Sequence, residues 1–180
     1  AANAMKADRI LVIARQEWTG QLGGCGEGKT NGATKTFVST TYLTDTSQKK
    51  FEEAFAAKTS KIDMDEDMRR CLELVGTSSL VNTLPLDPDN VIITQMDPRT
   101  FGSNYMLYNL RTGDTKLLFK GGGRASPGLF NPRNGELLTR SQLEPIGGGE
   151  YEQQVLIRDP KSGEFVVHDN LTRKLSERNT

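Results

Sequence analysis

Two hydrophobic periods alternate along this chain. Ile10-Leu11-Val12-Ile13-Ala14 is a continuous apolar run between polar flanks, and it predicts a short buried strand. A second strand is expected over residues 34–43, where Phe37, Val38, Thr40, Thr41 and Tyr42 are strand-favouring types. Residues 19–32 between them are dense in glycine and predict a long loop. The period then changes, with Phe51, Ala54, Phe55 and Lys58 falling at i, i+3, i+4 and i+7. Ser47 is placed to cap such a segment, and Glu52 and Glu53 lie in its first turns, so a helix over residues 47–58 is expected. An acidic loop over residues 63–67 and a short strand over 72–75 follow.

From about residue 85 the pattern becomes regular. The turn Asp87-Pro88-Asp89-Asn90 feeds Val91-Ile92-Ile93-Thr94, and Asn131-Pro132-Arg133-Asn134-Gly135 feeds Leu137-Leu138-Thr139, with the two prolines 44 positions apart. Met106-Leu107-Tyr108-Asn109-Leu110 leads through Arg111-Thr112-Gly113-Asp114 to Lys116-Leu117-Leu118-Phe119. Its counterpart is Val155-Leu156-Ile157-Arg158, the turn Lys161-Ser162-Gly163-Glu164, and Phe165-Val166-Val167, with the two glycines 50 positions apart. Basic residue, hydroxyl, glycine, acid suits a hairpin in which glycine supplies a positive φ.

A repeat of this length, built of short strands and tight hairpins, predicts an all-β chain: a partial β-propeller of about three four-stranded antiparallel blades with one short helical insertion. The expected domain spans residues 5–180, with blades at about 7–84, 85–125 and 126–180. Asp8-Arg9-Ile10-Leu11-Val12 matches Asp89-Asn90-Val91-Ile92-Ile93 in the first of these. A β-sandwich with coincidental turn spacing is the alternative. Ala1–Ala4 has the character of an expression scar and is set outside the fold. Residues 174–180 are polar and offer no closing strand, so the blades are expected to belong to a larger ring.

Composition narrows the function classes. The 180 residues carry 23 Lys and Arg against 23 Asp and Glu, which argues against a dedicated nucleic-acid partner and against a polybasic membrane anchor. The longest apolar run is strand length, far below the roughly 20 residues of a membrane span. Hydrophobic residues make up 35% and glycines number 18, as expected of many turns and short elements.

The phrase Asn82-Thr83-Leu84-Pro85-Leu86-Asp87-Pro88-Asp89-Asn90-Val91-Ile92-Ile93, with Tyr108-Asn109-Leu110-Arg111-Thr112-Gly113, resembles the N-terminal propeller of prolyl-oligopeptidase-family serine hydrolases, the bacterial acyl-aminoacyl-peptidase-like branch. The resemblance covers about residues 7–180. It implies a non-catalytic domain that gates or orients peptide substrate for a C-terminal α/β-hydrolase domain carrying the Ser-Asp-His triad. That family's frequent export favours a periplasmic or secreted address, while the residues themselves leave the cellular address unknown. No residue here matches the triad motif, and Ser103 after Gly102 has Tyr105 where a nucleophile elbow needs its second glycine. A stand-alone β-repeat binding module is the alternative function.

Other motifs lack the setting their chemistry needs. Gly23–Thr30 spells the phosphate-loop pattern, with Lys29 and Thr30 in the phosphate and magnesium positions. The expected strand ends near Ala14, and Asn31-Gly32 with β-branched residues follows where a helix should begin, so a glycine-rich loop is expected rather than a nucleotide hydrolase. Asp97 is the best candidate for the second-motif aspartate. Asp63, Asp65 and Asp67 alternate as in a calcium loop, but Met68 stands where glycine is needed. His168 beside Asp169 lacks an activated serine or cysteine partner, and Trp18 reads as packing. Cys25 and Cys71 form one disulfide or remain free thiols. No catalytic, cofactor-binding or metal residue is therefore assigned, and self-association through the end blades is expected.

Overall fold

The computed structural model describes residues 2–6, 8–17, 37–55, 66, 78–97, 100 and 102–176. Within them the chain forms three antiparallel sheets in sequence order. The first contains β1 (Ala2–Lys6), β2 (Arg9–Glu17), β3 (Phe37–Thr44) and β4 (Glu52–Glu53). The second contains β5 (Ser78–Asn82), β6 (Asn90–Met96), β7 (Ser103–Asn109) and β8 (Thr115–Phe119). The third contains β9 (Ala125–Pro127), β10 (Thr139–Gly147), β11 (Glu150–Arg158) and β12 (Phe165–Val167). A further strand, β13 (Arg173–Lys174), pairs with β11. In each sheet the first four strands lie side by side in chain order, each paired with the next.

The second sheet is covered on both faces. Val91 and Ile93 of β6 cluster with Leu11, Leu43, Ala54 and Phe55 of the first sheet, and Met106 and Tyr108 of β7 pack against them. Phe55 meets the Tyr108 ring edge-on, with centroids 4.9 Å apart. The alternate residues point the other way. Tyr105 stacks on Phe130 at 6.0 Å, and the amide of Leu86 donates to the carbonyl of Pro132 at 3.2 Å. Val91, Ile92 and Ile93 are consequently all fully buried, the behaviour of a continuous apolar run with a layer on each side.

Two expectations fail here. Residues 47–55 form a turn and the short strand β4, not the beginning of a helix; residues 56–58 lie outside the described residues. Asp45 Oδ1 accepts the Ser47 amide at 2.8 Å, Gln48 has a φ of 52°, and Thr44 Oγ1 donates to the Lys50 carbonyl at 2.7 Å. These bonds commit the segment to a turn. Ala54 and Phe55 then reach the core from an extended chain, with the Ala54 amide donating to Thr41 O at 2.8 Å. The 3.6 period therefore marked burial without marking helix.

Ala2–Ala4 is the second correction. These residues belong to β1, pairing with Val12, Leu11 and Ile10. Lys6 closes that strand and reaches the second sheet, where its Nζ donates to the carbonyls of Thr83, Leu84 and Asp87, the middle bond measuring 2.7 Å. β5, whose residues precede position 85, pairs with β6 of the second sheet. The phosphate-loop match at Gly23–Thr30, both cysteines, Trp18, Asp63, Asp65, Asp67 and the 72–75 strand lie outside the described residues.

Candidate functional site

The most regular chemistry in the chain sits in its turns. In Asn109–Asp114 the Asn109 side-chain oxygen accepts the amides of Arg111 and Thr112 at 2.9 and 3.0 Å. The Gly113 amide donates to Asn109 O at 2.9 Å, and Asn109 N to Asp114 O at 2.9 Å. Asp159–Glu164 repeats this set: Asp159 Oδ1 accepts the Lys161 and Ser162 amides, Gly163 N donates to Asp159 O, and Asp159 N to Glu164 O. The third example, Asn131–Glu136, was expected only as a turn that feeds a strand. It carries the same backbone pair, Gly135 N to Asn131 O and Asn131 N to Glu136 O, with Asn131 Oδ1 accepting the Arg133 amide at 3.0 Å. The shared text is Asx, any residue, Arg or Lys, a polar residue, Gly, acid. The short side-chain carbonyl or carboxylate satisfies amides that the turn would otherwise leave open. Gly113 and Gly163, the two expected hairpin glycines, have φ of 72° and 74°, and Gly135 has the same conformation at 72°.

Charge ties these turns together at the same end of each sheet. In the second sheet Arg111 pairs through Nε with Asp89 of the opening turn. In the third, Arg158 Nη1 lies 3.3 Å from Glu136 Oε1 and donates to Gly163 O at 2.8 Å, while Arg158 Nε donates to Leu137 O at 2.8 Å. Arg158 and Arg140 both lie over the Phe165 ring, at 4.8 and 4.9 Å.

Where the turns of the first two sheets approach one another, a cleft of about 300 Å³ opens. Its floor includes Leu43 and Leu110, and its walls carry Arg9, Asp45, Lys50, Glu52 and Arg111. Lys50 is bonded to Glu52, and Arg9 lies 3.5 Å from Asp8. The Glu52 bond holds the Lys50 ammonium above its usual range, and Lys50 in return holds Glu52 low. The Ser47 side chain and amide hold the Asp45 carboxyl low, and the bond to Asp89 raises Arg111. Each cation in the cleft is thus matched by a carboxylate. Arg9, Glu52 and Arg111 have expected places in strand, helix and turn, but the sequence assigns none of the lining residues to a site. The available signal was the basic residue at the third position of each Asx turn, which Arg111 occupies.

The remaining sequence candidates are dispersed. Asp97 follows β6, with its amide donating to Gly102 O at 2.8 Å, and Ser103 opens β7. His168 is exposed between β12 and a short 3-10 turn, Asp169–Leu171, and its amide donates to Val155 O at 2.8 Å. Among the described residues no group of three or more His, Cys, Asp or Glu side chains could hold a metal. No protein-family model and no curated protein matches the chain.

Proposed function

We propose that this chain acts as a non-catalytic stack of propeller-like blades, the part of a peptidase-like serine hydrolase that gates or orients peptide substrate. A separate α/β-hydrolase domain would supply the chemistry. The observation that carries the reading is the second sheet, a four-strand meander covered on one face by the meander before it and on the other by the one after. Blades of a propeller stack in this sequential way, each burying the faces of its neighbours. The repeated Asx-Gly turn at the end of successive sheets supports the same reading.

The charged cleft favours a second reading, a stand-alone module that binds a polar ligand or protein segment with no hydrolase attached. The two part on whether a Gly-x-Ser-x-Gly elbow is encoded in the same gene product as these 180 residues. Such an elbow supports the first, and a gene product without one supports the second. Both readings place the chemistry elsewhere, which a fluorophosphonate probe tests directly. The purified chain is expected to remain unlabelled and to leave peptide and ester substrates intact; a labelled serine would overturn both. Magnesium-dependent ATP binding that is lost in Lys29→Ala would instead establish a nucleotide site.

A further inference from the structure

We propose that Arg140 binds a carboxylate, as the inner end of a polar track along β10 and β11 that takes an extended peptide. Peptide as the ligand rests on the reading above, whereas the carboxylate site rests on the geometry of the third sheet alone.

Arg140 stands opposite Leu156 in the β10–β11 ladder, and alternation places Gln142, Glu144, Gln154 and Glu152 on the same face. Arg158 shares that face with Phe165 across from it on β12, and the two guanidinium groups lie over the one ring. The two cations are not equivalent. Arg158 is satisfied by Glu136 and by the carbonyls of Leu137 and Gly163. Arg140 has the ring alone: among the described residues no carboxylate pairs with it, and its Nε is shut off from solvent with no hydrogen-bond partner. A guanidinium that has lost hydration at one nitrogen and gained no anion is half of an ion pair. Stacking on Phe165 holds its plane, so the fork is in place before a ligand arrives. The residue as a whole is half-buried, which leaves the terminal nitrogens as the side of approach.

One open fork matches one planar carboxylate. A phosphate dianion asks for more donors, and Arg158 is already committed to its own partners. Outward from Arg140 the track suits a peptide. Gln142 Nε2 donates to Glu144 Oε1 at 3.0 Å and to Gln154 Oε1 at 3.1 Å, and Gln154 Nε2 donates to Glu152 Oε2 at 3.2 Å. The carboxylates thus fix which way both amides face. Among the described residues nothing donates to Gln142 Oε1, which is left to accept a peptide N–H. Lys174 stands across from Glu152 on β13 and offsets one of the two glutamate charges, so the outer end stays acidic and does not draw the anion away from Arg140. At about 3.4 Å per residue, Arg140 to Glu144 spans about 14 Å, the length of four extended residues.

Nuclear magnetic resonance of the arginine side chains in the full chain tests this, with sodium acetate and acetyl-trialanine as probes. The Arg140 Nε–H signal is expected to shift saturably with both, and the peptide should bind at least threefold more tightly than acetate. Acetyl-trialanine amide, which lacks the carboxylate, should leave the signal in place. An acetylated, amidated tripeptide with a central glutamate separates the two sources of the group. If it binds more tightly than acetyl-trialanine the site reads an acidic side chain, and if less tightly a chain terminus. Arg140→Gln should weaken both probes at least tenfold, read from peptide signals, with cooperative unfolding retained. If that variant does not fold, Arg140→Lys, which keeps the charge and loses the fork, should show the same loss. Gln142→Ala should remove the advantage of the peptide and leave acetate binding unchanged, which a merely structural role would not produce. No saturable shift with either carboxylate, binding that survives loss of the Arg140 fork, or inorganic phosphate bound more tightly than acetate would overturn the site. Any of these would leave the gating reading standing, since that reading is decided by the Gly-x-Ser-x-Gly elbow.

Discussion

Arg158 at the end of β11 reaches Glu136, Nη1 to Oε1 at 3.3 Å, and so joins the turn between β11 and β12 to the turn that precedes β10. Arg111 and Asp89 make the same kind of join in the second sheet. The Arg158 link is the better founded, because the guanidinium also donates to the carbonyls of Leu137 and Gly163 and lies on the Phe165 ring. An ammonium cannot reproduce that fork. Arg158→Lys is therefore expected to lower stability by about 1–2 kcal/mol, close to the loss in Arg158→Ala. Urea unfolding checks this, and a lysine variant with the wild-type midpoint would show the fork to be dispensable.

The turn glycines rank by their surroundings. An added Cβ on Gly113 would meet only the Tyr108 hydroxyl at 3.5 Å, and one on Gly163 only Arg158 Nη1 at 3.7 Å. Gly113→Val and Gly163→Val should each cost about 1 kcal/mol or more, chiefly from the positive φ. Gly135 has the same φ, but its added Cβ would lie 2.7 Å from Leu107 Cδ1 in the contact between sheets. Gly135→Ala should therefore cost about 2–3 kcal/mol, strain and overpacking together. Thermal denaturation of the three variants gives the order, and equal losses would mean that the contact yields freely.

Acid should weaken the chain through Asp87. Burial raises its pKa, but the hydrogen bonds from the Asn90 side chain and the amides of Asp89 and Asn90, with Lys6 nearby, outweigh burial and leave it below 3.8. A carboxylate with a depressed folded pKa contributes stability that is complete above its unfolded value. That contribution disappears as pH falls through the folded value. Stability is expected to decline below about pH 4, and Asp87→Asn should flatten part of that decline. Urea midpoints across the acid range measure it; identical slopes in wild type and variant would remove Asp87 as a source.

β1 should matter despite its plain composition. Deleting residues 2–6 removes the strand paired to β2 and the three carbonyl bonds of Lys6. A loss of about 2 kcal/mol or more is expected, with Lys6→Met retaining the strand and losing less. Calorimetry of both variants tests this, and an unaltered melting temperature after the deletion would show that the pairing contributes nothing.

The parts of this protein that its sequence alone determined are those whose physics closes within a few residues. The Asx-Gly turns are of this kind: six consecutive residues hold the acceptor, the amides it satisfies and the glycine that takes the positive φ. Val91-Ile92-Ile93 is another, since three consecutive β-branched apolar residues require cover on both faces of any strand they form. Spacing between such turns conveyed the short antiparallel strands of the second and third sheets. The tertiary structure decided what local text leaves open. Ala2–Lys6 has little strand character of its own and is a strand because β2 supplies its ladder. Residues 51–55 carry a helical spacing, but an extended segment delivers Ala54 and Phe55 to the same core while the Asp45 turn holds its entry. The cleft could not be read in advance, because Arg9 opens β2, Lys50 lies just before β4, and Arg111 sits in the turn between β7 and β8. Charges brought together in this way are visible only once the sheets have packed, since single-strand periodicity specifies which face is buried and not which sheet buries it.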